Sequence, residues 1–581
     1  MDSSSQAVVE PRTEAQRAAD RWPRQIKYIV GNEACERFSY YGMRSILAGY
    51  IAGEVGRGGL GQTTDTATSV IHLFIFANYF MPLFGAWLSD KIIGRYHTIL
   101  WVSLFYCLGH GVLACSDFIG TVEGKMYCLY AGLALIAFGS GGIKPCVSAF
   151  VGDQFRPDQS HLLQKAYGAF YWSINFGSFF SFLVIPAIKN SHGYSWAFAT
   201  PGFAMGLATL VFWLGTKHYV RVPPSRETRT AGFLPVFLTA YRNQPGFSWA
   251  GTLNMLAAIV LPSIAIVSLA TVGVAHSMAH ELSPLMRLLG KAGLAVAGLW
   301  YFLIVATSLA GKFELPENFW AAARQKYRDH EIAGARSVGP ILFVFALIPI
   351  FWALFDQTNS TWVLQGGNMD PLRLPTMFLP TIVGIVGWLK GTLTSPFQPV
   401  DFSIGAEQMQ SANPALVMIL VPLLTLVVYP RIGRFGTPLK RMSFGLFLTA
   451  ASYVIVALLQ QRIDAGARVN VGWQILPYVV LTTAEVLVST TGLEFAFTQA
   501  APEMKSTIMS FWLLTVAFGN LVVSALTNVL SSAAGGHAQS VSTGRFFLYA
   551  GMTFAVAILF SIVAMRYRYA KGTVPSETLN P

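Results

Sequence analysis

Six residues able to exchange protons or grip a charged ligand crowd into one short apolar segment: Glu33, Glu36, Arg37, Tyr40, Tyr41 and Arg44. At about 100° per residue they fall within a stripe of roughly 140° on a helix, so the helix has one polar face. Lys144, Asp356 and Glu485 each interrupt other long apolar runs. A charge at the centre of a bilayer costs on the order of 2.5 kcal/mol or more, so such groups face one another or a wet path. Arg37, Arg44 and Lys144 are positive, and Glu33, Glu36, Asp356 and Glu485 are negative, which leaves one negative charge over. If they share a cavity, one bound proton neutralises it, and a zwitterionic ligand adds no net charge. His72 and Tyr79 are spaced to share a helix face, and a histidine there can titrate near neutral pH. The same residues could instead form an ion-pair network that only fixes packing, with His72 as a hydrogen-bonded packing residue.

The elements that must hold these groups are membrane helices. Of 581 residues, 53% are hydrophobic and 12% charged, so lipid solvates most of the chain. A spanning helix needs roughly 20 apolar residues. Apolar runs predict spans at 28–52, 67–89, 97–115, 126–150, 166–186 and 196–214, then 249–274 and 292–309. A second series follows at 338–362, 413–429, 444–459, 475–497, 507–531 and 545–564. The run at 372–389 carries Pro375 and Pro380. As a span it would invert every later loop, so it reads as part of an extracellular excursion over 366–406.

The formal charge of +12 raises nucleic acid as a partner, but its placement points to a membrane. Arg21, Arg24 and Lys27 precede the first span, Lys91 and Arg95 follow the second, and Lys217, Arg221, Arg226 and Arg229 follow the sixth. Arg431, Arg434, Lys440 and Arg441 join two later spans, and Arg566, Arg568 and Lys571 follow the last. Positive residues favour the cytoplasmic side, which predicts cytoplasmic termini and an even number of spans. The polar N-terminus lacks the apolar core of a secretory signal, so the first span is expected to be retained. The five cysteines lie in or at the edges of predicted helices and suggest neither a disulfide scaffold nor a zinc site. Gly94-Arg95-Tyr96 is echoed by Gly433-Arg434-Phe435, a trace of an internal repeat.

The run Glu33-Ala-Cys-Glu36-Arg37-Phe38-Ser-Tyr40-Tyr41-Gly42 resembles the ExxERFxYYG signature of the proton-dependent oligopeptide transporters, a branch of the major facilitator superfamily. Gly141 to Pro145, Gly152 to Phe155, Phe170 to Gly177, Phe355-Asp356-Gln357, Asn413-Pro414, Tyr429-Pro430, Ala484-Glu485-Val486 and Gly492 to Phe495 extend the likeness over nearly all spans. It implies an all-α polytopic membrane protein with the major facilitator fold, two six-helix bundles and an inserted helix pair, about fourteen spans in all. The expected division is a tail at 1–27, bundles at 28–216 and 338–570, linkers with the inserted hairpin at 217–337, and a tail at 571–581. His72 and the run from Glu485 to Phe495 look closer to the animal members, and the inserted pair to the bacterial branch. That implies a bacterial inner-membrane protein of the animal-like subgroup.

The resemblance also implies roles. Arg37 and Lys144 bind a peptide carboxylate, and Glu485 faces the amino group with Asn175 and Asn413 beside it. Tyr40, Tyr41 and Tyr79 line the pocket, and Trp512 forms its lower edge. Glu33 and Glu36 couple protons with Arg37. Arg44 and Asp356 form an outer gate, and Lys144 pairs with Glu485 when no peptide is bound. Gly85 to Asp90 with Gly94 and Arg95 resembles the superfamily's cytoplasmic latch. Thr358-Asn359 departs from the usual Gln-Gly at the gate. The implied activity is proton-driven import of di- and tripeptides by a monomer in a lipid bilayer, with no cofactor and no nucleic acid. Nitrate, an amino acid or a peptide-like drug are alternative cargoes, although Glu485 disfavours an anion. A non-transporting peptide sensor is a further alternative. An enzyme is disfavoured because HExxH, GxSxG and paired catalytic aspartates do not occur.

Overall fold

The computed structural model describes residues 22–567 and 569, apart from 157–158, 225–231, 245–251, 253–255, 257–259, 279–282, 310–314, 316, 376, 381–396, 401–402, 433–435, 502–503 and 534–538. Arg21, Arg226, Arg229, Arg434, Arg568, Lys571 and the centre of the 366–406 segment lie outside the described residues.

Ten described helices are long and apolar enough to cross a membrane, and a pair bent by 45°, Asp329–Phe345 with Pro349–Gly367, makes an eleventh. The first helix, Ile26–Ala52, has the length, but Lys27, Glu33, Glu36, Arg37 and Arg44 remove it from that composition class. With it, the first six spans are Ile26–Ala52, Thr64–Leu88, Arg95–Ala114, Val122–Asp153, Ser160–His192 and Tyr194–Leu214. The bent pair is the seventh. Gln408–Arg431, Pro438–Asp464, Val471–Gln499, Thr507–Ser531 and Thr543–Arg566 are the eighth to twelfth. Proline shapes the seventh: Pro349 begins the helix after the break, where its missing N–H costs no bond.

Two apolar cores follow the chain order. One gathers side chains of spans one to six, including Tyr40, Tyr106, Phe150 and Phe198. The other gathers spans seven to twelve, including Trp362, Tyr453, Phe495 and Phe546. Tyr79 and Leu364 pack against both and so mark the seam. Between the halves in sequence, helices Leu261–Met278 and Pro284–Leu309 lie along one edge of the seam, where Leu269 packs with Phe76 of span two and with Leu521 and Ala525 of span eleven. The apolar run at 372–389 is extended in its first part, not helical. Leu372–Arg373 pairs antiparallel with Ser403–Ile404, and Met377–Pro380 with Phe397–Val400.

Span one begins and span twelve ends on one side of the bundle, called the terminus side; the opposite side is the far side. On the terminus side, Arg95 at the start of span three binds Asp153 at the end of span four through Nη1, at 2.6 and 2.8 Å. Arg441 near the start of span nine binds Glu494 of span ten at 2.9 Å to each oxygen. Each half thus has one such pair, while Gly433-Arg434-Phe435, the echo of Gly94-Arg95-Tyr96, lies outside the described residues. Gly94, with φ +80°, makes the turn into span three in a conformation that side chains resist.

Spans two and four touch backbone to backbone nearby. A Cβ on Gly85 would stand 2.2 Å from the Gly142 carbonyl oxygen and 2.7 Å from its Cα. Backbone cannot swing aside, so the helices would have to part. Gly85→Val is expected to cost about 1–3 kcal/mol and lower the unfolding temperature in detergent. Gly111→Val, where a Cβ meets nothing within 4 Å, serves as the control. Equal unfolding temperatures for the two variants would refute the close packing.

Candidate functional site

The polar face of span one turns inward. Arg37 Nε lies 2.7 Å from Glu33 Oε1 and 2.8 Å from Glu36 Oε2, so one guanidinium serves both carboxylates. The other Glu36 oxygen accepts from Ser140 Oγ of span four at 3.3 Å. One helical turn brings these charges together, and burial strengthens their attraction while making an unpaired member costly. Lys144, also on span four, donates to Asn78 Oδ1 and lies 4.2 Å from the Tyr40 ring and 4.6 Å from the Tyr79 ring. Two aromatic faces are a favourable seat for an ammonium group. Tyr41 packs edge-on against Tyr40 and Phe182.

Across the seam, Glu485 ends the regular part of span ten and is followed by a π turn, Val486–Thr490. Such wide turns re-aim the side chains beside them. Asn413 Nδ2 donates to Glu485 Oε2 at 2.7 Å and to Thr482 Oγ1 at 3.1 Å, which joins spans eight and ten. Trp512 stands edge-on to Phe345 at 5.2 Å and covers Gly492, where any side chain would strike its ring. One N–H of the Asn175 amide donates to the Tyr171 carbonyl of its own helix at 3.1 Å.

The expected pairing of Lys144 with Glu485 is absent. Asn78 and the two tyrosine rings hold the lysine on one side, and Asn413 holds the glutamate on the other. Each group already has a local polar partner, so neither has to reach across.

Toward the far side the halves are sewn together. Arg44 Nη2 meets Asp356 Oδ1 at 2.5 Å with both side chains at most 4% exposed. The other Asp356 oxygen accepts from Asn520 Nδ2 at 2.7 Å, and Asn520 Oδ1 accepts from His72 Nδ1 at 2.7 Å. His72 Nε2 then meets Ser360 Oγ at 2.9 Å. Arg44, Asp356, Asn520, His72 and Ser360 thus form one buried chain across four spans. Ser69 Oγ to Ser524 Oγ at 2.9 Å, and Lys189 Nζ to Glu407 Oε2 at 2.5 Å, tie the same side. Thr358-Asn359, the departure at this point, closes a local turn in which Asn359 Nδ2 donates to the Asp356 carbonyl at 3.2 Å.

Exposure divides the site accordingly. Arg44, His72 and Asp356 are buried, whereas Tyr41, Tyr79, Lys144, Asn413 and Glu485 keep partial exposure within their spans. Arg37 and Lys144 belong to spans one and four of the first half, Glu485 and Asn413 to spans ten and eight of the second, and the contacts of the far side join the halves beyond them. Asn78, Ser140, Ser360 and Asn520 were not singled out from the sequence. Small neutral polar residues are frequent in membrane helices, and only the fold reveals which of them meet a charge.

The POT family model matches residues 96–386 and 397–541. The chain is 30% identical over 459 residues to solute carrier family 15 member 2 of Mus musculus, covering 76% of this chain and 50% of that protein. It is 30% identical over 458 residues to peptide transporter 3 of Caenorhabditis elegans, covering 76% of this chain and 51% of that one. It therefore spans about half the length of the curated relatives it matches. Among solved structures, the POT family transporter PepTSo is 38% identical with a TM-score of 0.74, over 94% of this chain and 98% of that one. An auto-inhibited POT family peptide transporter is 36% identical with a TM-score of 0.73, over 96% of this chain and 99% of that one. Matched along most of its length by the family model and over nearly all of it by these structures, the chain belongs to the POT family of multi-pass membrane transporters with the major facilitator fold.

Proposed function

We propose that this chain imports di- and tripeptides together with protons, by alternating access between a first bundle at 28–216 and a second at 338–570. The observation that carries this reading is the placement of Arg37 and Lys144 on one wall of the seam and Glu485 with Asn413 on the other. A peptide with free ends presents a carboxylate and an ammonium group, and each finds its counter-charge. Fixed charges at both ends select for length, and side chains left between them meet only the roomy part of the cavity.

Proton coupling rests on Glu33, Glu36 and Arg37, with His72 as a second site. A proton on Glu36 removes one of the two charges holding Arg37 and frees the guanidinium for a peptide carboxylate, so proton and peptide favour the same state. Arg44 and Asp356 are the gate on the far side, which we assign to the outside of the cell because the opposite ends carry the lysine and arginine excess. The resulting protein works in a bacterial inner membrane as a monomer, with the proton gradient as its energy source and no cofactor. Relatives whose names describe peptide transporters support the choice of cargo.

Uptake of a labelled dipeptide into proteoliposomes acidified outside is the direct test; a sensor would bind the peptide without accumulating it. Glu36→Gln is expected to abolish uptake driven by the gradient while sparing exchange of peptide for peptide, and equal loss of both would remove Glu36 from the coupling role. Lys144→Ala should weaken dipeptide binding about 10–100-fold, the equivalent of one charge-assisted hydrogen bond of about 1.5–3 kcal/mol. Glu485→Gln should weaken a free dipeptide by a similar factor, yet leave its N-acetylated form nearly untouched. An identical loss for both ligands would show that Glu485 does not read the amino terminus.

A further inference from the structure

Beyond the chain running from Arg44 to His72, a separate charged pair sits at the far end of the seam. Asp65 opens span two and is 1% exposed; Arg545 opens span twelve and is 7% exposed. Asp65 Oδ1 accepts from Ser540 Oγ at 2.5 Å, and its Oδ2 faces Arg545 Nη2 at 3.7 Å. An arginine in the first turn of a helix opposes the helix dipole, so the dipole of its own helix does not favour Arg545 there. Its value lies in the carboxylate across the seam. The two ends are carried by different bodies: Asp65 belongs to the first half, whereas Thr543 Oγ1 donates to Asp464 Oδ2 at 2.7 Å and fastens the start of span twelve to span nine. Any rocking of the halves therefore stretches this contact.

The pair is also loosely made. Arg545 Nη1 and Nη2 form no hydrogen bond, although both are buried. A contact at 3.7 Å whose guanidinium nitrogens make no hydrogen bond recovers little of the cost of burying the arginine, so parting it into water is cheap. A permanent brace would be built more tightly, as Arg95 with Asp153 is at 2.6 Å. Along span two, Asp65 faces Ser540 of the connection before span twelve, and Ser69 and His72 face Ser524 and Asn520 of span eleven. The far seam is a polar zipper, and a zipper of this kind can be rehydrated one rung at a time.

We propose that Asp65, Ser540 and Arg545 form a second lock, in series with Arg44 and Asp356, that sets how readily the far end of the seam opens. The proposal rests on the alternating-access reading, but its test needs no peptide and so stands or falls separately from the choice of cargo. Amide hydrogen exchange is read by mass spectrometry on the full chain in lipid nanodiscs. Asp65→Asn is expected to raise exchange over 64–72 and 520–531 on the order of tenfold, about 1.4 kcal/mol of lost protection, without a rise over 86–98 and 438–446 on the terminus side. Ser540→Ala keeps the charges and should give a smaller rise in the same places. Exchanging the charges, Asp65→Arg with Arg545→Asp, should bring protection back toward the starting level. Unchanged exchange in Asp65→Asn, an equal rise at both ends of the spans, or no recovery in the exchanged pair would each overturn the lock.

Discussion

A guanidinium inside a bilayer must bring its own counter-charge, and this molecule is arranged around that necessity. Arg37 is satisfied within its own helix, one turn from Glu33 and next to Glu36. Arg44, two turns on, has no acid within a turn of it on its own helix and meets Asp356 of the other half instead. The first pair of contacts survives any relative movement of the halves; the second cannot. One helix thus carries both a charge cluster internal to one half and a contact between the halves, and the difference lies only in where the acid comes from.

That distinction governs what can move at low cost. Breaking a buried ion pair by removing a partner costs about 3–5 kcal/mol, because the remaining charge is stranded. Opening the far seam strands nothing if water enters as the pair parts, and the neighbouring groups are polar enough to admit it. Ser69, Ser524, Asn520 and His72 all bond across the seam in one register, and each could exchange its partner for water. An apolar seam of the same area would resist wetting. The terminus side is built differently: Arg95 with Asp153 and Arg441 with Glu494 lie within a half, not between halves. They stiffen each body without opposing its motion against the other.

The legible part of the site was the part with local periodicity. Glu33 to Arg44 could be assembled on one face because helical geometry alone relates residues three and four apart. The spans were legible from length and apolarity, and the first one from its charged stripe in spite of its charges. What sequence could not supply was the choice among chemically similar partners. Ser103 and Thr209 donate to carbonyls of their own helices, whereas Ser140 and Ser360 reach Glu36 and His72 on others. Nothing in the residue type separates the two cases. Lys144 and Glu485 show the same limit from the charged side: the resemblance implied a pair, but each has a nearer neutral partner. The apolar run beginning at Leu372 is extended over 372–373 and 377–380, where antiparallel pairing takes up its backbone groups, and residues 376 and 381–389 of it lie outside the described ones.

Neutral partners such as Asn78 and Asn413 are then more than filler. A lysine tied directly to a glutamate would have to break a strong ion pair before either could bind a zwitterion. An amide holds each charge in position with a weaker bond, which a ligand carboxylate or ammonium group can replace at little cost. In the proposed function the two ends of a peptide would take over the contacts made by the two asparagines. Arg37 and Arg44 keep acids of their own, whereas Lys144 and Glu485, held apart by neutral partners, are the charged pair left for a doubly charged guest under that reading.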